Sequence, residues 1–379
     1  MKITHIKSHH LSHSLEKPFE SASMTFTSRD HLLLEIHCDN GLIGWGECLG
    51  NPIVNAAYVK AMTPLLIGKN ALDIEPIWLN LYHTFRDQGQ RGATLNAISG
   101  IDIALWDLAG KYHQCPIHQL MGGAFRQRIP AYATGGFRMI GEDRITSLLT
   151  EIAEYKQAGF EAVKIKIGFG VALDVASIRA VREFLGDDIE LMIDANHGYD
   201  HIDAARVANQ VADCDIAWFE EPVVPEALSS YHKLRSSQSI PLAGGETWHS
   251  RWGINEALKQ NTVDILQPDV CGVGGLSEAR KILTLCDVHG VRCVPHVWGT
   301  SIALAASLHF HAIIAPSPTS PGSASPRFEF DQTHNPFRTS IVEQPFELDK
   351  GYLNVPTGHG LGIKIVREEL EKYAARTLS

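Results

Sequence analysis

The chain has 379 residues, more than one ordinary hydrophobic core needs and enough for two domains or for a large barrel with a cap. Hydrophobic residues make up 44% of it and charged residues 20%, a composition typical of a soluble globular protein. The net charge of −10 argues against nucleic-acid binding, which normally requires a basic patch, so we expect no nucleic-acid partner.

The seven cysteines are an odd number without a CxxC pair, which indicates reduced thiols rather than a disulfide framework. The N-terminal segment lacks the apolar region of a signal peptide. The longest apolar stretch, residues 301–315, is too short to span a bilayer and is interrupted by His309 and His311. These features predict a soluble, cytoplasmic protein with no membrane partner.

Residues 1–126 have the pattern of an α+β region. Two strand-like runs flank residues 39–41, Asp-Asn-Gly, which is a strong signal for a hairpin turn. Helical patterns follow, and the clearest of them covers residues 97–113. We predict that Ser99 caps this helix near its start, and that the basic Lys111 and His113 lie at its end.

From residue 127 onward, short β-branched runs alternate with amphipathic helical segments. Strands that alternate with helices predict βαβ units and a parallel sheet. Seven or eight repeats favour a (β/α)₈-type barrel, with an open doubly wound sheet as the alternative. The strand-like runs lie at residues 129–136, 162–168, 190–196, 217–222, 241–246, 263–269 and 291–296.

An ionisable residue stands at the end of five successive predicted strands. These residues are Asp194, Glu220, Glu246, Asp269 and His296, with spacings of 26, 26, 23 and 27 residues. In a parallel barrel the carboxyl ends of the strands converge on one mouth, where active sites are built. The five side chains are therefore expected to be neighbours in space.

Four of these residues are acidic, and three of them, Asp194, Glu220 and Glu246, follow one another in the repeat. Three carboxylates repel one another in a confined site unless a cation joins them. Oxygen ligands favour a hard ion, and three monodentate carboxylates leave octahedral positions open, so Mg²⁺ is preferred to Zn²⁺ or Ca²⁺. The alternative is that Asp194, Glu220 and Glu246 each cap the helix that follows. Alternation along the strand points Glu221 away from the mouth, toward a neighbouring group such as Asn196.

Lys164 and Lys166 lie two residues apart on a predicted strand, so both point to the same side. We expect each ammonium group to lower the pKa of the other, which would make one of them a base at neutral pH. The alternative is a solvated lysine face on an exposed edge strand. The apolar residues around the two lysines argue against that alternative.

Asp269 and His296 end adjoining predicted strands, so the carboxylate can fix the imidazole tautomer and make His296 a general acid or base. The alternative is an ordinary structural histidine, since the chain contains 19 of them. A cation flanked by a lysine and a histidine suits removal of a proton next to a carboxylate.

Two further segments give weaker signals. Residues 271–279, CGVGGLSEA, lack the spacing of a phosphate-binding loop and are interpreted as a tight turn between a strand and a helix. Residues 86–92, RDQGQRG, are interpreted as a lid, as a subunit contact or as a plain loop.

Several of these motifs occur together in one known family. The segments VKIKIG, IDAN, WFEEP, GGE, QPD and PHVWG, with SGIDIALWDLAGK and PTGHGLGIKI, follow the same order as in that family. The chain thus resembles the mandelate racemase/muconate lactonizing enzyme family of the enolase superfamily. The resemblance implies a modified (β/α)₇β barrel at residues 127–335, beneath an α+β capping domain made of residues 1–126 and 336–379.

The resemblance also implies roles for individual residues. Mg²⁺ would be held by Asp194, Glu220 and Glu246. Lys166 and His296 would act as acid and base, supported by Lys164, Asp269 and Glu329, the last of which would hydrogen-bond the substrate carboxylate. Substrate contacts would come from Asn196, His197 and Trp298.

Segments such as PFESASM, DANHGY and FDQTHNPFR further resemble family members that open the rings of acid sugars. They imply a Mg²⁺-dependent cycloisomerase that forms a 2-keto-3-deoxy sugar acid, with D-galactaro-lactone as the favoured substrate. The alternatives are a 3,6-anhydro-L-galactonate cycloisomerase and an acyclic sugar-acid dehydratase or epimerase. A binding protein on an inactive barrel should lack a ligand or a base, and neither is missing. We also expect a homo-oligomer.

Overall fold

The computed structural model describes residues 1–316 and 325–375. Its N-terminal part contains a four-stranded antiparallel sheet in the order β3-β2-β1-β5, covered on one side by helices. The strands are β1 (Ile3–Glu20), β2 (Thr25–Cys38), β3 (Ile43–Cys48) and β5 (Arg138–Met139), and the helices are α1 (Pro52–Leu66), α2 (Ile74–Phe85), α3 (Ala93–His113) and α4 (Ile117–Leu120).

The turn between β2 and β3 confirms the predicted hairpin. Gly41 has a φ of +83°, a conformation that glycine adopts without a steric penalty. The predicted role of Ser99 is wrong, because α3 begins six residues before it. Inside the helix, the Ser99 hydroxyl donates to the carbonyl of Leu95 (2.7 Å) and accepts from the backbone N–H of Gly274 (2.8 Å). Ser99 therefore connects α3 to the segment that contains Gly274, in the later part of the chain, and does not cap the helix.

The remaining chain alternates strands and helices. The strands are β4 (Arg128–Gly135), β6 (Ala162–Lys166), β7 (Glu190–Asp194), β8 (Ile216–Glu220), β9 (Leu242–Gly244), β10 (Ile265–Leu266), β11 (Arg292–Cys293), β12 (Phe328–Asp331) and β13 (Tyr352–Asn354). The helices are α5 (Arg144–Gln157), α6 (Val171–Leu185), α7 (His201–Gln210), α8 (Leu228–Ser237), α9 (Ser250–Lys259), α10 (Gly275–His289), α11 (Ser301–Ala312) and α12 (Arg367–Lys372).

Strands β4 and β6 to β12 are parallel, and the chain passes through α5 to α11 between them. β12 pairs with β4, while the backbone N–H of Val297 donates to Glu329 Oε2 at 3.0 Å. The segment after β11 therefore meets β12, and the row of strands closes. The (β/α)₇β barrel is confirmed, and an open doubly wound sheet is excluded.

Apolar side chains fill the barrel in two layers. A large buried cluster lies between the strands and the outer helices. A second, smaller cluster lies inside the barrel below its mouth, and it consists of Tyr132, Ala162, Met192, Trp218, Ala243, Ile265 and Val294. The inner cluster forms the floor on which the polar strand ends stand.

Buried polar contacts join the N-terminal region to the barrel. The carboxylate of Glu47 on β3 accepts hydrogen bonds from the backbone N–H groups of Thr300 (3.0 Å) and Ala303 (3.0 Å) at the start of α11. A carboxylate at a helix N-terminus is favoured by the unpaired N–H groups and by the helix dipole. Residues 271–274 form the predicted tight turn and residues 275–279 begin α10. The Trp78 indole donates to the carbonyl of Gly274 in this turn at 2.6 Å.

All seven cysteines lie in the described part of the chain and are free thiols, as predicted. Within residues 1–316 and 325–375, no helix is long and apolar enough to cross a membrane.

The C-terminal helix is attached to the N-terminal sheet through Glu35, which is 1% exposed and accepts from Arg367 Nη2 at 2.6 Å. Burial raises the pKa of Glu35, but the hydrogen bonds from Arg367 and His9 outweigh burial and lower it to about 2. Because the pKa is depressed, the stabilisation is present above the ordinary carboxyl pKa and is lost as pH falls toward 2.

We expect Glu35→Gln to lower the free energy of unfolding at pH 7 by about 3 kcal/mol, because the variant loses the stabilisation that lowers the pKa of the buried Glu35 carboxyl to about 2. Urea unfolding at pH 7 and pH 3 is the measurement, and the gap between variant and wild type should narrow at the lower pH. Glu343→Gln, which breaks the exposed pair with Lys364, is the control and should change stability by less than about 1 kcal/mol. A gap that does not depend on pH would contradict the prediction.

Candidate active site

The five predicted strand-end residues meet at the mouth of the barrel. Asp194 and Glu220 are the last residues of β7 and β8 and face each other in register, and Glu246 follows β9 by two residues. Asp269 and His296 follow β10 and β11. The five residues that recur at strand ends along the sequence therefore lie at one end of the barrel, as predicted.

Both lysines of β6 point into this mouth and are buried, which excludes a solvated lysine face. Lys164 Nζ lies 2.6 Å from Glu220 Oε1 and 2.7 Å from Glu329 Oε1. Lys166 Nζ lies 2.5 Å from Asp194 Oδ2. Lys166 is thus paired with a carboxylate on the adjacent strand β7, and Lys164 with carboxylates on β8 and β12, each two strands away in the barrel.

The expected lowering of the lysine pKa values is wrong for this arrangement. Burial lowers the pKa of Lys166 and Lys164 lowers it further, but Asp194 outweighs both and the net shift is upward. Burial likewise lowers the pKa of Lys164, while Glu220 and Glu329 raise it well above its ordinary value. The sequence showed that the lysines repel each other but not that a carboxylate accompanies each one.

The pKa values of the carboxylates in the mouth shift in opposite directions. Burial raises the pKa of Glu220, and although Lys164 opposes this, the nearby Asp194 and Glu329 help to bring it to about 7. For Asp194 and Glu329, burial also acts upward, but the two lysines outweigh it and the pKa of each falls to about 2. The mouth therefore holds more carboxylates than its cationic side chains can balance.

We asked whether these groups suit a metal ion. In the part of the chain that the structure describes, no three carboxylate, imidazole or thiol groups are arranged closely enough to hold one, and Asp194, Glu220 and Glu246 each face a cationic side chain. The donor set itself suits a hard divalent cation. All three donors are carboxylates, and burial together with the nearby Asp194 and Glu329 raises the pKa of Glu220. The buried Oε2 of Glu246 lies 3.2 Å from His296 Nε2 but accepts no hydrogen bond from the described residues.

His296 lies between two carboxylates on the other side of the mouth. Its Nδ1 is 2.7 Å from Asp269 Oδ2, and its Nε2 is 3.2 Å from Glu246 Oε2. Burial lowers the pKa of His296, but Glu246, Glu329 and the hydrogen bond to Asp269 outweigh it and raise the pKa to about 10. The contact with Asp269 assigns the Nδ1 proton to that side, which leaves Nε2 facing the cavity.

Glu221 turns away from the mouth, as alternation predicted, but its partner differs from the predicted one. Its Oε2 lies 3.1 Å from His197 Nε2, and its Oε1 accepts from the hydroxyl of Thr247 at 3.3 Å. Asn196 instead donates its backbone N–H to Asp194 Oδ1 at 2.9 Å. Burial, followed by Glu246 and Asp194, raises the pKa of Glu221 well above its ordinary value. No sequence pattern predicts this pairing of His197 with Glu221.

A cavity of about 640 Å³ opens above these groups, between the barrel and the N-terminal hairpin. Lys166 and His296 both line it, as do Glu246, Asn196 and His197. Hairpin residues 21–31 form much of the opposite wall, whereas residues 86–92 are not among the lining residues. The hairpin is therefore placed to contact a bound substrate, whereas residues 86–92 are not.

Aromatic side chains form one wall of this cavity. Trp298 lies 5.7 Å from Phe26 and 5.7 Å from Phe137, measured between ring centroids. Behind it, the guanidinium of Arg29 stacks on the Trp298 ring at 4.4 Å, and Arg29 Nε donates to the carbonyl of His334 at 3.0 Å. Burial lowers the pKa of Arg29 to about 10. The position of Arg29 behind Trp298 could not be predicted from the sequence, because it depends on contacts of β2 with the distant segments that contain Trp298 and His334.

The tip of the β1–β2 hairpin rests on two glycines of the barrel. A Cβ built on Gly198 would lie 2.8 Å from the Ala22 methyl, and one built on Gly168 would lie 2.6 Å from it. Such distances are too short for real carbon contacts, so the absence of side chains at both glycines lets the hairpin descend to the barrel.

We expect Gly198→Ala to push the hairpin tip outward and to raise KM about tenfold, with a smaller change in kcat, because the cavity wall loses its position. Ala22→Gly in the same chain should restore KM in part, because it removes the colliding methyl but leaves the new Cβ 2.9 Å from Gly168 Cα and 3.0 Å from the carbonyl oxygen of Ala195. Gly253→Ala, which meets no atom within 4 Å, is the matched control. A KM that Gly198→Ala leaves unchanged would show that the hairpin contact does not shape the site.

Comparison with known proteins identifies the family. Residues 4–122 match "Mandelate racemase / muconate lactonizing enzyme, N-terminal domain", and residues 147–370 match "Enolase C-terminal domain-like". The chain belongs to the mandelate racemase/muconate lactonizing enzyme family. Members of the enolase superfamily generally use Mg²⁺ with a lysine or histidine base.

Similar proteins within this family include ring-opening enzymes and a dehydratase. The chain is 52% identical over 373 residues to D-galactarolactone cycloisomerase of Agrobacterium fabrum, covering 98% of this chain and 99% of the relative. It is 33% identical over 347 residues to arabinonate dehydratase of Saccharolobus solfataricus, covering 90% of each. The solved 3,6-anhydro-D-galactonate cycloisomerase of Zobellia galactanivorans superposes with a TM-score of 0.90 at 36% identity, over 99% of this chain and 100% of that one.

Proposed function

We propose that this protein is a Mg²⁺-dependent acid-sugar cycloisomerase, with D-galactaro-lactone as the favoured substrate. The observation that carries the proposal is that Lys166 and His296 line one cavity, at the ends of strands that lie on either side of those bearing the carboxylate cluster, and that His296 is paired with Asp269. The 52% identity to a D-galactarolactone cycloisomerase over nearly the whole chain supports the choice of substrate.

In this proposal, Asp194, Glu220 and Glu246 hold Mg²⁺. Held there, the cation would supply positive charge to the carboxylate end of the substrate, where negative charge would grow as the neighbouring proton is lost. Glu329 would hydrogen-bond the substrate carboxylate, and Lys164, which lies 2.7 Å from Glu329, would perturb Lys166. Asn196, His197 and Trp298 contact the rest of the sugar.

The reaction breaks one C–H bond and one C–O bond. The carboxylates raise the pKa of Lys166 and of His296, so one member of this pair would become a base once Mg²⁺ offsets their charge. That member would take the proton from C5, next to the C6 carboxylate, and the electron pair would form the C4–C5 double bond as the C4–O bond breaks. The leaving group is the carboxylate of the lactone itself, which needs little help from an acid. The resulting enol tautomerises to a 2-keto-3-deoxy sugar acid. The pair supplies both the base and a proton donor on a different side of the substrate.

We assign substrate choice to the capping region, residues 1–126 with 336–379, above a catalytic barrel of residues 127–335. The hairpin wall of the cavity and the aromatic side chains around Trp298 support this assignment. A homo-oligomer of this chain in the cytoplasm, acting on a small sugar acid, completes the proposal.

Turnover of D-galactaro-lactones with Mg²⁺, with and without a chelator, tests the proposal directly. We expect formation of a 2-keto acid that stops when EDTA is added and returns with excess Mg²⁺. If neither D-galactaro-lactones nor 3,6-anhydro-galactonates react, the assignment as a cycloisomerase is wrong.

Two alternatives are supported by particular relatives. The TM-score of 0.90 to a 3,6-anhydro-D-galactonate cycloisomerase favours an anhydro sugar, including the L form, whose alkoxide leaving group needs an acid such as His296. The 33% identity to arabinonate dehydratase favours loss of water from an acyclic acid. A panel of aldonates and aldarates, followed by 2-keto acid formation and solvent deuterium incorporation, separates a dehydratase or an epimerase from a cycloisomerase.

A further inference from the structure

One oxygen of Glu220 receives two hydrogen bonds from inside the barrel. The indole Nε1 of Trp218 donates to Glu220 Oε2 at 3.0 Å, and the side-chain amide of Gln267 donates to the same atom at 2.6 Å. The other oxygen, Oε1, faces Lys164 at 2.6 Å. The two ends of this carboxylate therefore have different surroundings.

Both donors are held firmly. Trp218 lies two residues before Glu220 on β8, so its side chain points to the same face, where it packs edge-on against Tyr132 at 5.5 Å. Gln267 follows β10, and its backbone N–H donates to the carbonyl of Gly244 on β9 at 2.9 Å. Trp218 is 6% exposed and Gln267 is 1% exposed. We call these two side chains the Glu220 clamp.

The short side chain of Ala243 on β9 leaves room for Gln267 to reach Glu220. β9 lies between β8 and β10, and Ala243 is the residue in register with Glu220. Because only a methyl group stands there, the amide of Gln267 can pass over β9 to Glu220. A larger side chain at residue 243 would lie between the two groups.

Two N–H donors occupy both lone-pair positions of Oε2, so this atom has none left for a cation. We propose that the Glu220 clamp limits Glu220 to one coordinating oxygen, Oε1, and thereby favours a small six-coordinate cation such as Mg²⁺ over Ca²⁺. Ca²⁺ takes six to eight oxygens and often binds both oxygens of a carboxylate, whereas Mg²⁺ requires near-octahedral geometry. The inference rests on the proposed metal role of Glu220 and adds the means of selection.

Calorimetric titrations with MgCl₂ and with CaCl₂ test the clamp by cation affinity, without substrate. The variants are Gln267→Met, which removes the amide at similar length, and Trp218→Phe, which keeps an aromatic ring without the N–H donor. Met192→Leu, in the same inner cluster but without a polar atom, is the matched control. Thermal unfolding in EDTA checks that each variant folds.

We expect each clamp variant to lower the ratio of Mg²⁺ affinity to Ca²⁺ affinity by about tenfold, within the range seen when groups that orient a metal ligand are changed. Met192→Leu should keep the wild-type ratio. If Gln267→Met and Trp218→Phe both fold and keep that ratio, the clamp does not select the cation, although the metal site stands. If the wild type binds neither ion, the proposed metal site fails together with the clamp.

Discussion

Lys166→Ala is expected to reduce kcat about 10³-fold, because it removes a proton-transfer group that lines the cavity beside the carboxylate cluster. Lys166 is 6% exposed and lines the cavity, whereas Lys164, whose Nζ lies 3.8 Å from Asp194 Oδ2, is not among the lining residues. The measurement is kcat for D-galactaro-lactone, together with the rate at which the proton next to the substrate carboxylate exchanges with solvent deuterium.

The two readouts separate the possible roles of Lys166. If it takes the proton, exchange and turnover fall together, and if it only donates a proton later, exchange persists while turnover falls. Lys233→Ala, on the outer helix α8, is the control and should leave both rates unchanged. Full activity in Lys166→Ala would refute the assignment of this lysine.

His296→Asn is expected to reduce kcat by a similar factor, about 10³-fold, because asparagine cannot exchange a proton at the position of Nε2. Asp269→Asn should reduce kcat less, because it keeps the imidazole but weakens the preference for the tautomer with its proton on Nδ1, 2.7 Å from Asp269. The measurement is kcat of both variants on a lactone and on an anhydro sugar. A larger loss on the anhydro sugar would identify His296 as the acid that protonates the alkoxide.

His289→Asn, at the exposed end of α10, is the matched control and should behave as wild type. Unfolding curves of His296→Asn exclude a trivial loss of fold, since His296 is buried and paired with two carboxylates. The assignment of a second acid or base fails if a folded His296→Asn variant turns over either substrate at the wild-type rate.

The barrel and its row of strand ends could be predicted from the sequence because both follow from periodicity. Side chains alternate along a strand and βα units recur at a nearly constant length, so Asp194, Glu220 and Glu246 had to share one phase. The same argument placed Lys164 and Lys166 on one side and Asp269 near His296. Periodicity thus predicts which side chains lie at the mouth of the barrel, and the structure confirms their position.

Contacts between distant segments could not be predicted in this way. The partner of Glu221 proved to be His197, and the stacking of Arg29 on Trp298 joins residues nearly 270 positions apart. The upward pKa shift of Lys166 also arises from a contact between distant segments. Asp194, 2.5 Å away, raises this pKa by more than the neighbouring Lys164 lowers it. Such effects are set by distances between side chains, which a single sequence does not contain.

The pairing of β4 has a consequence for how the chain is made. This first barrel strand, residues 128–135, lies beside β12, residues 328–331, and also pairs with β13, residues 352–354. On the ribosome, His296 and every acidic strand end before it emerge while β4 still lacks these partners. The barrel therefore closes only near the end of synthesis, and a nascent chain stopped after α11 should expose the open edge of β4 to chaperones.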